Sequence, residues 1–182
     1  MLESESLQLA IHESVEIFSY NPRWPEKYEL EKKRLLSLFP EAFLAIEHVG
    51  STAIPKMAAK PIIDLLGGVR SMVEADILMP VLCENGYTTS AKFNASLGDR
   101  RWLMRHAGGH RTHHLHLVIH GDGIWRAKIA FRDALRANPE AARRYQQLKM
   151  NIAATTGSDR EAYSSAKTKF VEEVLRSHSH PN

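Results

Sequence analysis

A single cysteine, Cys83, stands in 182 residues, which excludes an internal disulfide and a zinc–thiolate cluster. No run approaches the ~20 apolar residues that a membrane helix needs. The first residues, Met1-Leu2-Glu3-Ser4-Glu5, are acidic and lack the basic-then-apolar order of a signal peptide. The expectation is a cytoplasmic protein with no membrane partner. Charge of one sign is not in excess: 24 Lys and Arg against 21 Asp and Glu leave +3, which makes no case for nucleic acid. No Gly-Lys-Ser/Thr follows a glycine-rich turn, so there is no Walker loop, and neither Gly108-Gly109-His110 nor Gly121-Asp122-Gly123 makes a dinucleotide fingerprint. Internal repeats and low-complexity linkers are absent as well. What is abundant is histidine. There are ten, and His106, His110, His113, His114, His116 and His120 crowd into one short stretch.

With 43% hydrophobic and 25% charged residues the chain reads as one ordinary globular domain, large enough to bury about 70% of its unfolded surface without a staple. Residues 1–13 show no clear period and read as a loosely ordered extension; 14–177 read as the domain and 178–182 as a polar tail. Val15 to Phe18 reads as a short strand. Asn21-Pro22-Arg23-Trp24-Pro25 opens a helix whose stripe is Trp24, Tyr28, Leu35 and Leu38, closed by Pro40. On that helix the charge run Glu29–Arg34 reads as a solvated face. Phe43–Val49 predicts a strand running into the turn Gly50-Ser51-Thr52-Ala53. Lys60 to Leu66, bounded by Gly67-Gly68, is nearly all apolar and predicts a central strand with one acid, Asp64.

Ser71 to Glu74 has capping-box spacing and starts a helix that Pro80 is expected to kink. Gly86 to Thr89 predicts a turn and strand, and 91–100 a loop. Arg101–Arg105 and Thr112–Ile119 predict an antiparallel pair joined at Gly108-Gly109. Three helical stripes follow, with Asn138-Pro139 opening the second and Ser158–Glu161 the third. Trp24, Trp102 and Trp125 read as core residues, as does Cys83. The fold class is α+β, a mixed sheet flanked by helices with a helical C-terminal portion.

The chemistry concentrates between Glu47 and Asp64. Backbone N–H groups of a Gly-Ser turn can receive phosphate oxygens, and an Asp on the next strand can hold the metal that neutralises them. In the strand Thr112–Ile119, His114 and His116 share a face while His113, Leu115 and Leu117 take the other. If that strand lies beside Asp64, then Asp64, His114 and His116 make a metal or acid–base site, with imidazole favouring softer metals than Mg. Lys60, expected on the same face as Asp64, and Arg101 and Arg105 are candidate cations for a phosphate, as is Lys167, one turn from Tyr163.

His48-Val49-Gly50-Ser51-Thr52-Ala53-Ile54-Pro55 followed by Ala58-Ala59-Lys60-Pro61-Ile62-Ile63-Asp64 resembles the GrpB family. The likeness extends to Tyr20–Pro25, Arg111–Val118, Phe131–Arg136 and Tyr163–Lys167, nearly the whole chain. The resemblance implies a nucleotidyltransferase-like fold of the polymerase-beta type. It implies nucleotide or phosphate binding at Gly50-Ser51, for which His48, Thr52, Arg101 and Lys167 are further candidates on the reading of the residues. It also implies a divalent metal at Asp64 and nucleotidyl transfer to an unknown acceptor; with the residue reading, the metal (Mg, Mn or Zn) is expected on Asp64, His114 and His116 and catalysis on Asp64, His116 and Lys60. The superfamily places a second acid two residues after the first, where both clamp the metal from one strand face. Leu66 stands there. Two other functions stay open: a non-catalytic nucleotide- or phosphate-binding module that has lost the clamp, and a histidine-assisted metal-dependent phosphohydrolase.

Overall fold

The computed structural model describes residues 3–13, 16–154 and 168–176. Its elements, in chain order, are α1 (Glu3–Ile11), α2 (Trp24–Leu38), β1 (Ala45–Val49), a 3₁₀ turn (Ser51–Ala53), β2 (Ile63–Val69), α3 (Met72–Glu84), α4 (Ala91–Ala95), β3 (Arg101–Ala107), β4 (His110–Ile119), α5 (Gly123–Ala137) and α6 (Pro139–Ala154). Residues 168–176 are again helical. The sheet runs β1-β2-β4-β3, with β1 and β3 antiparallel to their neighbours and β2 parallel to β4, so the α+β expectation holds.

Strand alternation divides the sheet into two faces. Ile63, Leu65 and Val69 of β2, Leu115 and Leu117 of β4 and Leu103 of β3 point one way. There they meet Trp24, Tyr28 and Leu35 of α2 and Leu78 and Leu82 of α3 in the main core. On the other face Val49, Leu66 and Val118 pack against Trp125 of α5. A third cluster joins Ile54 and Met57, just after the 3₁₀ turn, to Leu135 of α5, Tyr145 of α6 and Phe170 and Val174.

Local chemistry sets the element ends. Ser71 accepts from the Glu74 amide, Ser90 from Phe93 and Asp122 from Trp125, each capping a helix start. Gly67 and Gly68 lie inside β2 and do not end it. A Cβ on Gly67 would come within 2.9 Å of Phe43, and one on Gly68 within 2.9 Å of both His120 and Trp125, so hydrogen there lets both layers close on the strand.

Several expectations are corrected. Of the strand expected at Val15–Phe18, Phe18 makes a lone bridge to Ala59, and Val15 lies outside the described residues. The first thirteen residues contain α1, whose Ala10 is fully buried. The expected loop at 91–100 contains α4, and α3 extends on both sides of Pro80, from Met72 to Glu84. Ser158–Glu161, Tyr163, Lys167 and the tail 178–182 lie outside the described residues.

The charge run of α2 is not uniformly solvated. Glu31 is 3% exposed and bridges Arg34 and Arg105 while accepting from Tyr87 Oη at 2.7 Å. Burial alone would raise its pKa; hydrogen bonds from Arg34 and Tyr87 and the charge of Arg105 bring it below the usual glutamate value. Helical periodicity identifies which positions share a face with the stripe, but a salt-bridge partner 74 residues away leaves no local trace.

Candidate functional site

Pairing brings the expected residues of the two central strands together. Asp64 stands opposite His114 and Leu66 opposite His116, so all four side chains share the face beneath α5. His114 Nδ1 is 3.2 Å from Asp64 Oδ1, a hydrogen bond; His116 Nε2, at 3.8 Å from the same oxygen, is beyond one. Burial would raise the Asp64 pKa, but the His114 hydrogen bond and the closeness of both imidazoles hold it well below the carboxylate range. An ionised carboxylate only accepts, so His114 donates through Nδ1–H and its neutral form carries the lone pair on Nε2. That Nε2 and His116 Nδ1 are both buried without a hydrogen-bond partner. For His116, burial outweighs the pull of the nearby Asp64 carboxylate, with Lys128 adding repulsion, and its pKa is lowered.

The glycine–serine turn lies directly on this acid. Gly50 has φ +73°, which L side chains rarely adopt, and a Cβ there would overlap Asp64 Oδ2 and sit 3.0 Å from its Cβ and Cγ. Ser51 and Thr52 open the 3₁₀ turn, where the first amides precede any helical acceptor. Behind the turn Thr52 is buried and donates to the Ile62 carbonyl at 3.2 Å. Its oxygen therefore accepts from His48 Nε2 at 3.0 Å. His48 is stacked on Tyr28 at 4.7 Å between ring centroids, and burial pushes its pKa down to about 4. Both polar side chains are thus committed to fastening the turn to the strand, while exposed Gly50 and half-buried Ser51 present the outer surface.

Helix α5 supplies cations that the sequence reading did not select as ligands. Gly50, Ile54, Lys128, Phe131, Arg132, Leu135 and Tyr145 line a small cleft between the turn and the helical layer. Arg132 donates to Glu47 Oε2 at 2.6 Å, to Asp133 at 2.8 Å and to the His48 carbonyl at 3.1 Å. Its tie to the sheet runs through Glu47 and the His48 carbonyl of β1, since Asp133 lies beside it on α5. Arg136 donates to the Ala53 carbonyl at 2.9 Å, and burial followed by repulsion from Arg132 lowers its pKa. The signal for this cluster was the spacing: positions 128, 132 and 136 are four apart and share one helix face.

Other candidates are placed elsewhere. Lys60 precedes β2 and pairs with Glu13 at 3.4 Å. Arg101 and Arg105 alternate with Trp102 and Met104 and face the main core side, where Arg101 binds Asp76 of α3 at 2.6 Å and Arg105 binds Glu31. Lys167 lies outside the described residues. Trp102, expected in the core, instead stands opposite His116 and meets the His114 ring edge-on at 5.2 Å.

The donor set does not fit the expected metal. Among the described residues no group of three or more His, Cys, Asp or Glu could hold an ion. Asp64 Oδ1 is engaged by His114, Oδ2 abuts Gly50, and Leu66 contributes a fully buried hydrocarbon where a second acid would stand. Among the described residues no helix is long and apolar enough to cross a membrane.

The mixed sheet with a Gly-Ser turn packed on a strand aspartate belongs to a fold that family membership assigns to the nucleotidyltransferase-like superfamily. The model of the GrpB protein family matches residues 14–177, and the chain belongs to that family. It is 39% identical over 158 residues to UPF0157 protein YqkA of Bacillus subtilis, covering 87% of this chain and 45% of that protein, about half its length. It is 32% identical over 167 residues to glutamate-rich protein GrpB of Alkalihalophilus pseudofirmus, covering 87% of this chain and 92% of that one. The crystal structure of conserved protein GrpB from Enterococcus faecalis superposes with a TM-score of 0.77 at 32% identity, over 91% of this chain and 100% of that one.

Proposed function

We propose that this protein binds the phosphate groups of a nucleotide or another small phosphorylated molecule at the Gly50-Ser51 turn, and that it does not carry out two-metal nucleotidyl transfer. The observation that carries this reading is Leu66, fully buried against α5 where the superfamily's second acid would project. A single strand carboxylate already bonded to a histidine supplies less than half of a two-ion clamp. Phosphate recognition needs no such clamp: backbone amides and fixed cations suffice, and the turn is flanked by Lys128 and Arg132.

The histidines favour a second reading. A neutral His114 oriented by Asp64 has the form of a general base, and its Nε2 is buried without a partner. That reading requires turnover that depends on both residues.

The test combines binding and turnover. Purified protein is titrated with a nucleoside triphosphate and with pyrophosphate, with and without Mg, Mn or Zn. Binding without divalent metal, weakened at least roughly fivefold by Lys128→Ala, is expected from loss of one charge-assisted contact. Absence of binding to either probe overturns the phosphate reading. A transfer or hydrolysis rate abolished by Asp64→Asn in a folded protein replaces the module with an enzyme.

A further inference from the structure

At the N-terminal ends of β2 and β4 the domain holds a carboxylate of its own chain, that of Glu13. Glu13 follows α1, and its carboxylate meets three donors from the domain. His110 Nδ1 is 3.0 Å from Oε1, the Arg111 amide donates to Oε2 at 3.2 Å, and Lys60 Nζ is 3.4 Å from Oε2. The Arg111 guanidinium is turned onto the same segment, donating through Nε to the Ala10 carbonyl at 2.8 Å and through Nη2 to the Ile11 carbonyl at 2.9 Å. Two permanent cations, one histidine and one backbone amide thus gather on a few residues, among which Glu13 is the one acid they bind among the described residues. Although burial would raise its pKa, His110, Arg111 and Lys60 keep the Glu13 carboxyl below the ordinary glutamate value, so it is held as an anion.

The grip on α1 is mainly polar. Ala10 is buried, but Leu9 and Ile11 are 54% and 42% exposed, with Leu9 lying over Gly109. The family match begins at residue 14, so α1 and Glu13 lie outside the shared domain, while Lys60, His110 and Arg111 lie within it. Removing Glu13 from its place would leave Lys60, His110 and the Arg111 amide facing one point, with the Arg111 guanidinium released beside it from the Ala10 and Ile11 carbonyls. Three such donors with a guanidinium beside them suit the oxygens of a phosphate dianion better than a carboxylate, which offers two oxygens and one charge.

We infer that Lys60, His110 and Arg111 form a phosphate-binding site, plugged in this chain by Glu13, so that docking of α1 and binding of a phosphate group exclude one another. The site is separate from the Gly50 turn and does not depend on the function proposed there. Its occupation by an external phosphate releases α1, and the strength of the plug sets how much phosphate is needed, since a site that is open only part of the time binds with its affinity reduced by that fraction.

Calorimetric titration of the full-length chain with inorganic phosphate tests the competition. Glu13→Gln keeps the shape of the plug and removes its charge, and it is expected to bind phosphate roughly tenfold or more tightly than the natural protein. Adding Lys60→Ala to that variant returns the affinity to the starting level, whereas adding Lys128→Ala leaves the gain intact. In the natural protein, saturating phosphate accelerates amide hydrogen exchange across residues 5–11. Equal affinities with and without Glu13→Gln, or a gain that survives Lys60→Ala, overturn the inference. A gain lost with Lys128→Ala assigns the binding to the Gly50 turn and overturns it equally. Acetate binding Glu13→Gln as tightly as phosphate does overturns the assignment of the ligand class.

Discussion

Asp64 and Gly50 depend on each other more closely than their spacing of fourteen residues suggests. The strand fixes the carboxylate, His114 fixes one of its oxygens, and the bare α-carbon of Gly50 takes the space beside the other. Gly50→Ala combines a positive φ with an overlap against a restrained side chain, and is expected to destabilise the fold by about 2–3 kcal/mol. Urea melts read that loss, and phosphate titration of the folded fraction should show weakened binding; an unchanged melting midpoint would show that the turn relaxes without cost. At this scale the sequence was most legible. A glycine between a strand and a Ser-Thr pair, and one acid in an apolar run, are local signals. The roles of His48 and Thr52 were less so, because their inward hydrogen bond depends on where Tyr28 and the Ile62 carbonyl lie.

Between elements, the decisive contact is that of α5 with β2 and β4. Trp125 closes on Leu66, Val49 and Val118, while further along the same helix Lys128 and Arg132 reach the turn. Apolar closure and cationic lining thus follow from one helix face. Leu66→Asp, which restores the superfamily's second acid in sequence, places a carboxylate in that closure with no partner. The expected cost is about 4 kcal/mol or more, from lost burial and an uncompensated charge. Differential scanning calorimetry together with a Mn titration tests it: a folded variant that gains tight metal binding would show that the clamp was missing only an acid. The amphipathic stripe of α5 was legible from its period. That its polar edge meets the Gly50 turn was not, since periodicity defines a face but not the partner of that face.

Across the whole molecule, buried histidines and bridged carboxylates make acid the destabilising direction. Burial holds His48 and His113 at about 4, against 6.5 when exposed; Glu31, Arg105, Arg34 and Lys27 surround His113. Between those values the unfolded chain binds protons that the native state refuses. Stability therefore rises with pH across that window, by up to about 1.4 kcal/mol per pH unit for each histidine. Glu31 and Glu13, with lowered pKa values, add stability that is present above about 4.5 and is lost as pH falls through their folded values. The urea midpoint is expected to fall steadily from pH 6.5 to 4.5, and His113→Gln to flatten that slope. A midpoint independent of pH in both proteins would show that neither histidine is held neutral.

The histidine-rich stretch shows how far sequence and structure each decide. Alternation along β4 follows from the chain alone, because successive side chains of a strand must point to opposite sides; it separates His114 and His116 from His113 whatever lies alongside. The Gly-Ser turn, the strand acid and most of the helices likewise follow from local spacing and capping chemistry. Register is different. That β4 runs parallel to β2 with His114 opposite Asp64, that Glu31 sits between two arginines, and that Glu13 closes on Lys60 and His110 are contacts between residues up to 97 positions apart. Such contacts are set by which faces the packed helices and sheet can bury together, so only the tertiary structure decides them.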